Sequence, residues 1–103
     1  MTVSQAVLLR PLPGRLDDFL RRLQTAKSLF EKNGASVRWY RTVAGSAPGT
    51  VLFTSTVDDW DAWAKAAKAT EGNADYQAFE RESANDPAAE VISTGILESF
   101  ELP

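Results

Sequence analysis

The 103-residue sequence has no histidine and no cysteine, and each absence removes a body of chemistry. Without His there is no Ser-His or Cys-His nucleophile, no haem held by an imidazole and no zinc site of ordinary ligand type. Without Cys there is no disulfide framework. A metal, if one were bound, would sit on carboxylates and be Mg²⁺ or Ca²⁺ in character; no metal and no cofactor are expected. Long apolar runs are missing too: Ala6 to Leu9 and Val51 to Phe53 fall far short of a bilayer span, so no membrane contact is expected. Nor does Met1 to Ala6 show a basic segment leading into a hydrophobic one, which makes a cytoplasmic location the expectation. The eleven Lys and Arg are scattered through a chain of net charge -3, whereas phosphate contacts need clustered cations. Nucleic acid is therefore not an expected partner.

What is present fits one globular domain over residues 1–103, with 44% hydrophobic and 24% charged residues and no repeat or linker. Val3 to Arg10 reads as a strand stopped by Pro11-Leu12-Pro13-Gly14. From Arg15 to Asn33, Leu16, Phe19, Leu20, Leu23, Ala26 and Phe30 recur at helical spacing, and Lys32-Asn33-Gly34 supplies a cation and a glycine to close the helix. Ala35 to Ala44 alternates, with Val37, Trp39 and Val43 on one side and Arg41 the single charge among them. Gly45 to Gly49 is a turn of hairpin length, and Thr50 to Val57 is a β-branched strand that returns antiparallel.

Asp58 is placed to cap a second helix on which Trp60, Trp63, Ala64 and Ala67 share a face, ending at Gly72-Asn73. A shorter helical turn is expected through Asp75, Tyr76, Phe79 and Arg81. After Asp86-Pro87, Val91 to Leu102 reads as a long fourth strand, with Ile92, Ile96, Phe100 and Leu102 in one register, Val91 and Leu97 in the other, and a bulge or close approach at Gly95.

The order βαββαβ implies an α+β, ferredoxin-like fold: a four-stranded antiparallel sheet with two main helices on one face. The strands nevertheless carry apolar residues on both sides, Val7 and Leu9 against Ala6 and Leu8, Val51 and Phe53 against Leu52, Leu97 against Ile96. Burying roughly five such side chains at about 1.5 to 3 kcal/mol each favours a homodimer through sheet-to-sheet packing.

Pro13-Gly14-Arg15-Leu16-Asp17-Asp18-Phe19-Leu20, a hairpin through Trp39 and Gly49, and Asp58-Asp59-Trp60 opening a helix together resemble the dimeric α/β-barrel superfamily. Within it, the NIPSNAP-like and antibiotic-biosynthesis-monooxygenase-like branches are the nearest in pattern. The resemblance implies a homodimer with facing sheets and a ligand cavity in each subunit between helices and sheet. It also implies activities that include cofactor-free oxidation of polyketide-type aromatics and haem degradation. Haem-degrading members share a strand-one Asn, a helix Trp and a His; here strand one offers Ser4 and Gln5, and no His exists.

The residues suited to such a cavity are Trp39, Trp60 and Trp63 as flat walls, Tyr40 and Tyr76 as phenolic proton donors, and Arg41 as a forked donor to an oxyanion. Each has a plainer role as core or solvated surface. The Asp58, Asp59, Asp61 group is read as capping rather than cation binding, because consecutive residues diverge around a helix start. Two functions follow. One is a cofactor-independent, monooxygenase-like enzyme acting on a small apolar or aromatic substrate; the alternative is a non-catalytic small-molecule-binding or dimeric assembly module. The βαββαβ RNA-binding type is set aside, since Thr50 to Val57 lacks its basic and aromatic pattern.

Overall fold

In the computed structural model, which describes residues 1–45 and 47–103, the chain runs β1 (Val3–Pro11), α1 (Leu16–Lys32), β2 (Ser36–Arg41), β3 (Val51–Val57), α2 (Trp60–Glu71), α3 (Ala74–Asn85) and β4 (Ala89–Glu98). The strands form one antiparallel sheet in the order β2-β3-β1-β4. This is the expected ferredoxin-like α+β arrangement, with one addition. The segment expected as a short turn is a full helix, α3, as long as α2.

Residues opposite one another in an antiparallel ladder share a face, so the register sorts the sheet. Val3, Gln5, Val7 and Leu9 lie with Val57, Ser55, Phe53 and Val51, and across β2 with Val37, Trp39 and Arg41. This is the helix side. Phe19, Leu23 and Ala26 of α1 pack there on Val37, Val51, Phe53 and Ala88, while Val3, Ala35 and Val57 form a second cluster beneath Ala62, Trp63 and Ala66 of α2. Phe30 packs against both. On the opposite face lie Ala6 and Leu8, Leu52, Tyr40 and Leu97, none of which belongs to either core cluster.

Several local expectations are corrected. The cap of α2 is Asp59, not Asp58: its extended backbone lets the carboxylate accept from the Ala62 N–H at 2.7 Å, a reach that Asp58, one residue earlier, lacks. The inward face of α2 is Ala62, Trp63, Ala66 and Thr70, whereas Ala64 and Ala67 are exposed and Trp60 is 42% exposed. On α1 the buried stripe takes in Arg22 and Leu29 and leaves Leu16 and Leu20 at its exposed margin.

The bulge in β4 is at Ile92, because Leu8 pairs with Ser93 and Leu9 with Val91; a side chain at Gly95 would meet nothing within 4 Å. The extra residue reverses the alternation, so Val91 and Ile96 both fall on the helix side. β4 also stops at Glu98, leaving Phe100 and Leu102 exposed beyond it. Ser99 there bonds to Thr2, its N–H donating to the Thr2 carbonyl at 2.9 Å.

β2 ends at Arg41, and its hairpin closes by Thr42 N–H to Thr50 O and Gly49 N–H to Thr42 O. Gly49 (φ 82°) and Gly34 after α1 (φ 88°) adopt the left-handed conformation that favours glycine. Ser46, in the expected turn, lies outside the described residues.

Candidate functional site

Among the described residues, a larger and a smaller cavity open between the helix layer and the sheet. The larger, about 610 Å³, lies under α1 and α3. β1 contributes Gln5, Val7 and Leu9 to it, α1 contributes Phe19, Arg22, Leu23, Ala26 and Phe30, and α3 contributes Tyr76, Phe79, Glu80, Ser83 and Ala84. Phe53, Ala88, Ala89 and Val91 complete the wall. The smaller, about 320 Å³, lies under α2 between Trp63, Ala66 and Thr70 and the sheet residues Ser55 and Val57. Gln5, Phe30, Tyr76 and Glu80 border both.

Helical spacing puts the α1 part of the larger cavity's wall on one face. Phe19, Arg22, Leu23, Ala26 and Phe30 follow the three- and four-residue steps of one helix face, and the small Ala26, Ala84, Ala88 and Ala89 line the wall beside larger rings. The rings form an aromatic chain: Phe30 stands 5.8 Å from Phe53 and edge-on at 5.7 Å to Tyr76, which lies 6.4 Å from Phe79. Tilted and edge-on contacts of this kind are the favoured geometry of aromatic pairs.

Tyr76 reaches this place because Asn73 caps α3, accepting from the Tyr76 N–H at 3.0 Å. Burial, reinforced by the neighbouring Glu80 carboxylate, pushes its phenol up to about 12. At neutral pH Tyr76 is therefore a hydrogen-bond donor and not a phenolate.

At the other end, ion pairs tie the start of α1 to the end of α3. Arg15 grips Asp86 as a fork, Nη1 to Oδ1 at 2.7 Å and Nη2 to Oδ2 at 3.0 Å, while its Nε bonds Asp18 at 2.9 Å. These bonds hold the Asp86 and Asp18 carboxyls below the usual carboxylate range and raise the Arg15 guanidinium. Arg22 is buried. Its Nη1 donates to the Asp86 carbonyl and its Nη2 lies 3.3 Å from Asp86 Oδ2, while Nε has no partner.

Of the residues singled out from the sequence, Tyr76 borders both cavities and Trp63 borders the smaller. Trp60 stands edge-on to Trp63 at 5.8 Å, and its indole N–H donates to Glu98 at 2.5 Å. Trp39 lies under the Lys27 ammonium at 5.8 Å. Arg41 is exposed beyond it, and Tyr40 is on the opposite face of the sheet. None of these last four lines either cavity. Sequence reasoning missed Gln5, Arg22 and Glu80. Arg22 had a signal, since it is a charge at the i+3 step from Phe19 inside the apolar stripe, and Gln5 had one as a strand-one amide; Glu80 had none.

Among the described residues no group of three or more Asp or Glu is placed to hold a metal ion, and no helix is long and apolar enough to cross a membrane.

No protein-family profile matches the chain, and no curated protein matches it in sequence. Solved structures match along its whole length. An uncharacterised NIPSNAP domain protein from Burkholderia xenovorans superposes with a TM-score of 0.70 at 19% identity, over 97% of this chain and 95% of that one. A NIPSNAP family protein from Agrobacterium tumefaciens gives 0.72 at 13% identity, over 98% and 95%. SnoaB, a cofactor-independent oxygenase from Streptomyces nogalater, crystallised as a single-residue variant, gives 0.71 at 11% identity, over 98% and 95%. At such identities the likeness is one of fold, and the chain has the fold shared by NIPSNAP and monooxygenase-like proteins.

Proposed function

We propose that residues 1–103 form one domain that pairs with a second copy and binds a small, apolar, ring-bearing molecule in the cavity under α1 and α3, oxidising it without a cofactor. The observation that carries this reading is the cavity itself: about 610 Å³ walled by Phe19, Phe30, Phe53, Phe79 and aliphatic side chains, with few polar groups. Its place in a fold that also serves a cofactor-independent oxygenase supports the chemistry. Glu80 is the one carboxylate on that wall, and Tyr76 borders it as a neutral phenol. A base to take the phenolic proton of a hydroxyarene, whose electron-rich anion dioxygen then oxidises, and a donor to protonate the reduced oxygen are the two parts such chemistry needs.

Pairing rests on the uncovered sheet face. Leu8, Leu52, Tyr40 and Leu97 share it, and a second copy related by a two-fold axis would bury the same patch on both sides.

The test is calorimetric titration with two-ring aromatics, followed by oxygen-electrode assays with dihydroxynaphthalenes on the wild type and on Glu80→Gln. Binding with oxygen uptake that falls in Glu80→Gln supports the enzyme. Binding without uptake leaves the alternative of a non-catalytic binding module. No binding overturns both.

A further inference from the structure

We infer that the smaller cavity is a site for a primary ammonium group carried on a short hydrocarbon arm, held by Ser55, Gln5 and the carboxylates of Glu71 and Glu80. The inference concerns the space under α2 and stands apart from the reading given for the larger cavity.

It begins with one row of the sheet. Along the helix side of β1 and β3 the facing pairs are Val3 with Val57, Gln5 with Ser55, Val7 with Phe53 and Leu9 with Val51. Three of these pairs are apolar, as a core-facing layer requires, and the pair of Gln5 and Ser55 interrupts them. Ser55 is 8% exposed and lines the smaller cavity. Among the described residues its hydroxyl has no hydrogen-bond partner, yet the partnerless side-chain atom that solvent does not reach is Arg22 Nε. The Ser55 hydroxyl is therefore open to the cavity, a polar group on a buried residue left for an occupant to satisfy.

Charge selects the occupant. Glu71 and Glu80 line the smaller cavity, and among the described residues no Lys or Arg does. Neither carboxylate is in an ion pair there, the pairs being made by Asp18, Glu82, Asp86 and Glu90. Glu80 stands beside the Tyr76 phenol and opposes its ionisation, which places its charge at the border of the two cavities. α2 also ends at this cavity through Thr70 and Glu71, and a helix C-terminus carries partial negative charge. An anion would meet like charge alone, whereas a cation meets two carboxylates without partners.

The open hydroxyl narrows the kind of cation. A primary ammonium has three N–H donors, and Ser55 Oγ, the Gln5 amide oxygen and a carboxylate are acceptors that can share them. A quaternary ammonium has no donor and would leave Ser55 unsatisfied. Phe30, Ala35, Val57, Trp63 and Ala66 make the rest of the wall apolar, and about 320 Å³ leaves room for a short chain or one ring.

The experiment compares 2-phenylethylamine, n-propylbenzene and 3-phenylpropionate at neutral pH, the same arm ending in an ammonium, a methyl and a carboxylate. Titration of the wild-type protein should show the amine binding about tenfold or more tighter than either of the others. In ¹⁵N-correlated NMR the Trp63 indole N–H should move with the amine while that of Trp39, which lines neither cavity, stays still. This readout needs no variant. Ser55→Ala should weaken the amine about fivefold, and the double variant Glu71→Gln, Glu80→Gln should abolish its advantage over n-propylbenzene.

Equal binding of amine and hydrocarbon, or tightest binding of the carboxylate, would overturn the assignment. So would an amine advantage that leaves the Trp63 resonance unmoved or survives the double variant, since either places the ammonium elsewhere. Unchanged affinity in Ser55→Ala would remove the hydroxyl from the site and overturn the proposal as stated. No binding of any of the three would overturn it too, while the reading of the larger cavity is decided separately by its two-ring ligands.

Discussion

Replacing Trp63 with alanine distinguishes a walled cavity from a solid core. The indole is half-buried, stands edge-on to Trp60, and packs over Val3, Ala35 and Val57 on one side while bordering about 320 Å³ of open space on the other. A fully packed Trp truncated to Ala costs about 3 to 5 kcal/mol. Here one side of the ring already lacks partner atoms, so truncation sacrifices less packing, and about 2 kcal/mol is expected. For a chain of this length that corresponds to a fall in Tm of about 8 to 16 °C. Leu29→Ala is the internal standard, because Leu29 is buried and lines neither cavity; it should cost about 3 kcal/mol. Urea unfolding of both variants and the wild type, with m-values checked for constancy, measures the difference. If Trp63→Ala costs more than Leu29→Ala, the space beneath α2 is filled and the smaller cavity is not open.

Asp59→Ala should cost about 1 kcal/mol through loss of the bond from Ala62 N–H, and Asp58→Ala close to nothing, by the same urea assay. Asp18 and Asp86 have folded-state pKa values below 3.8, so their contribution is complete above that value and is lost as pH falls through the folded values. Acid unfolding of Asp86→Asn should therefore show a shallower fall in stability below pH 3.8 than the wild type. Tyr76 is raised from 10.0 to about 12, so the unfolded chain ionises first and stability should decline between those values. In Tyr40→Phe, where Tyr76 is the remaining phenol, absorbance at about 295 nm should titrate near 12; a midpoint at 10 would refute its burial. Leu52→Asp, on the uncovered sheet face, should convert a dimer to a monomer by light scattering without loss of helical signal.

The strands, the long first helix and their order were legible because each rests on local periodicity. β3 buries Val51, Phe53, Ser55 and Val57 and half-buries the residues between, the period of two that its β-branched composition led one to expect of a strand. The four-stranded sheet followed from element order and the handedness of crossovers. Less legible were features decided by one residue of phase. Asp58 and Asp59 are equivalent by composition, and only the backbone angles at 59 make it the cap. The Ile92 bulge leaves no mark in β4 itself, because it exists only as a mismatch with Leu8 and Leu9 of a strand roughly eighty residues earlier.

The cavity belongs to the tertiary structure alone. Aromatic residues were visible as candidates, yet Trp39, Tyr40, Arg41 and Trp60 lie outside both cavities, while Gln5, Arg22 and Glu80 line the larger. Periodicity says which side of an element faces inward; it does not say whether the inward space is filled. The sequence by itself determined the elements, their order and the apolar stripes, since these depend on neighbours three or four positions away. Where α3 sits relative to α1, and hence the space the two enclose above the sheet, depends on Arg15 and Arg22 meeting Asp86 more than sixty residues away. Such long-range pairing is set by chain packing, and no local pattern encodes it.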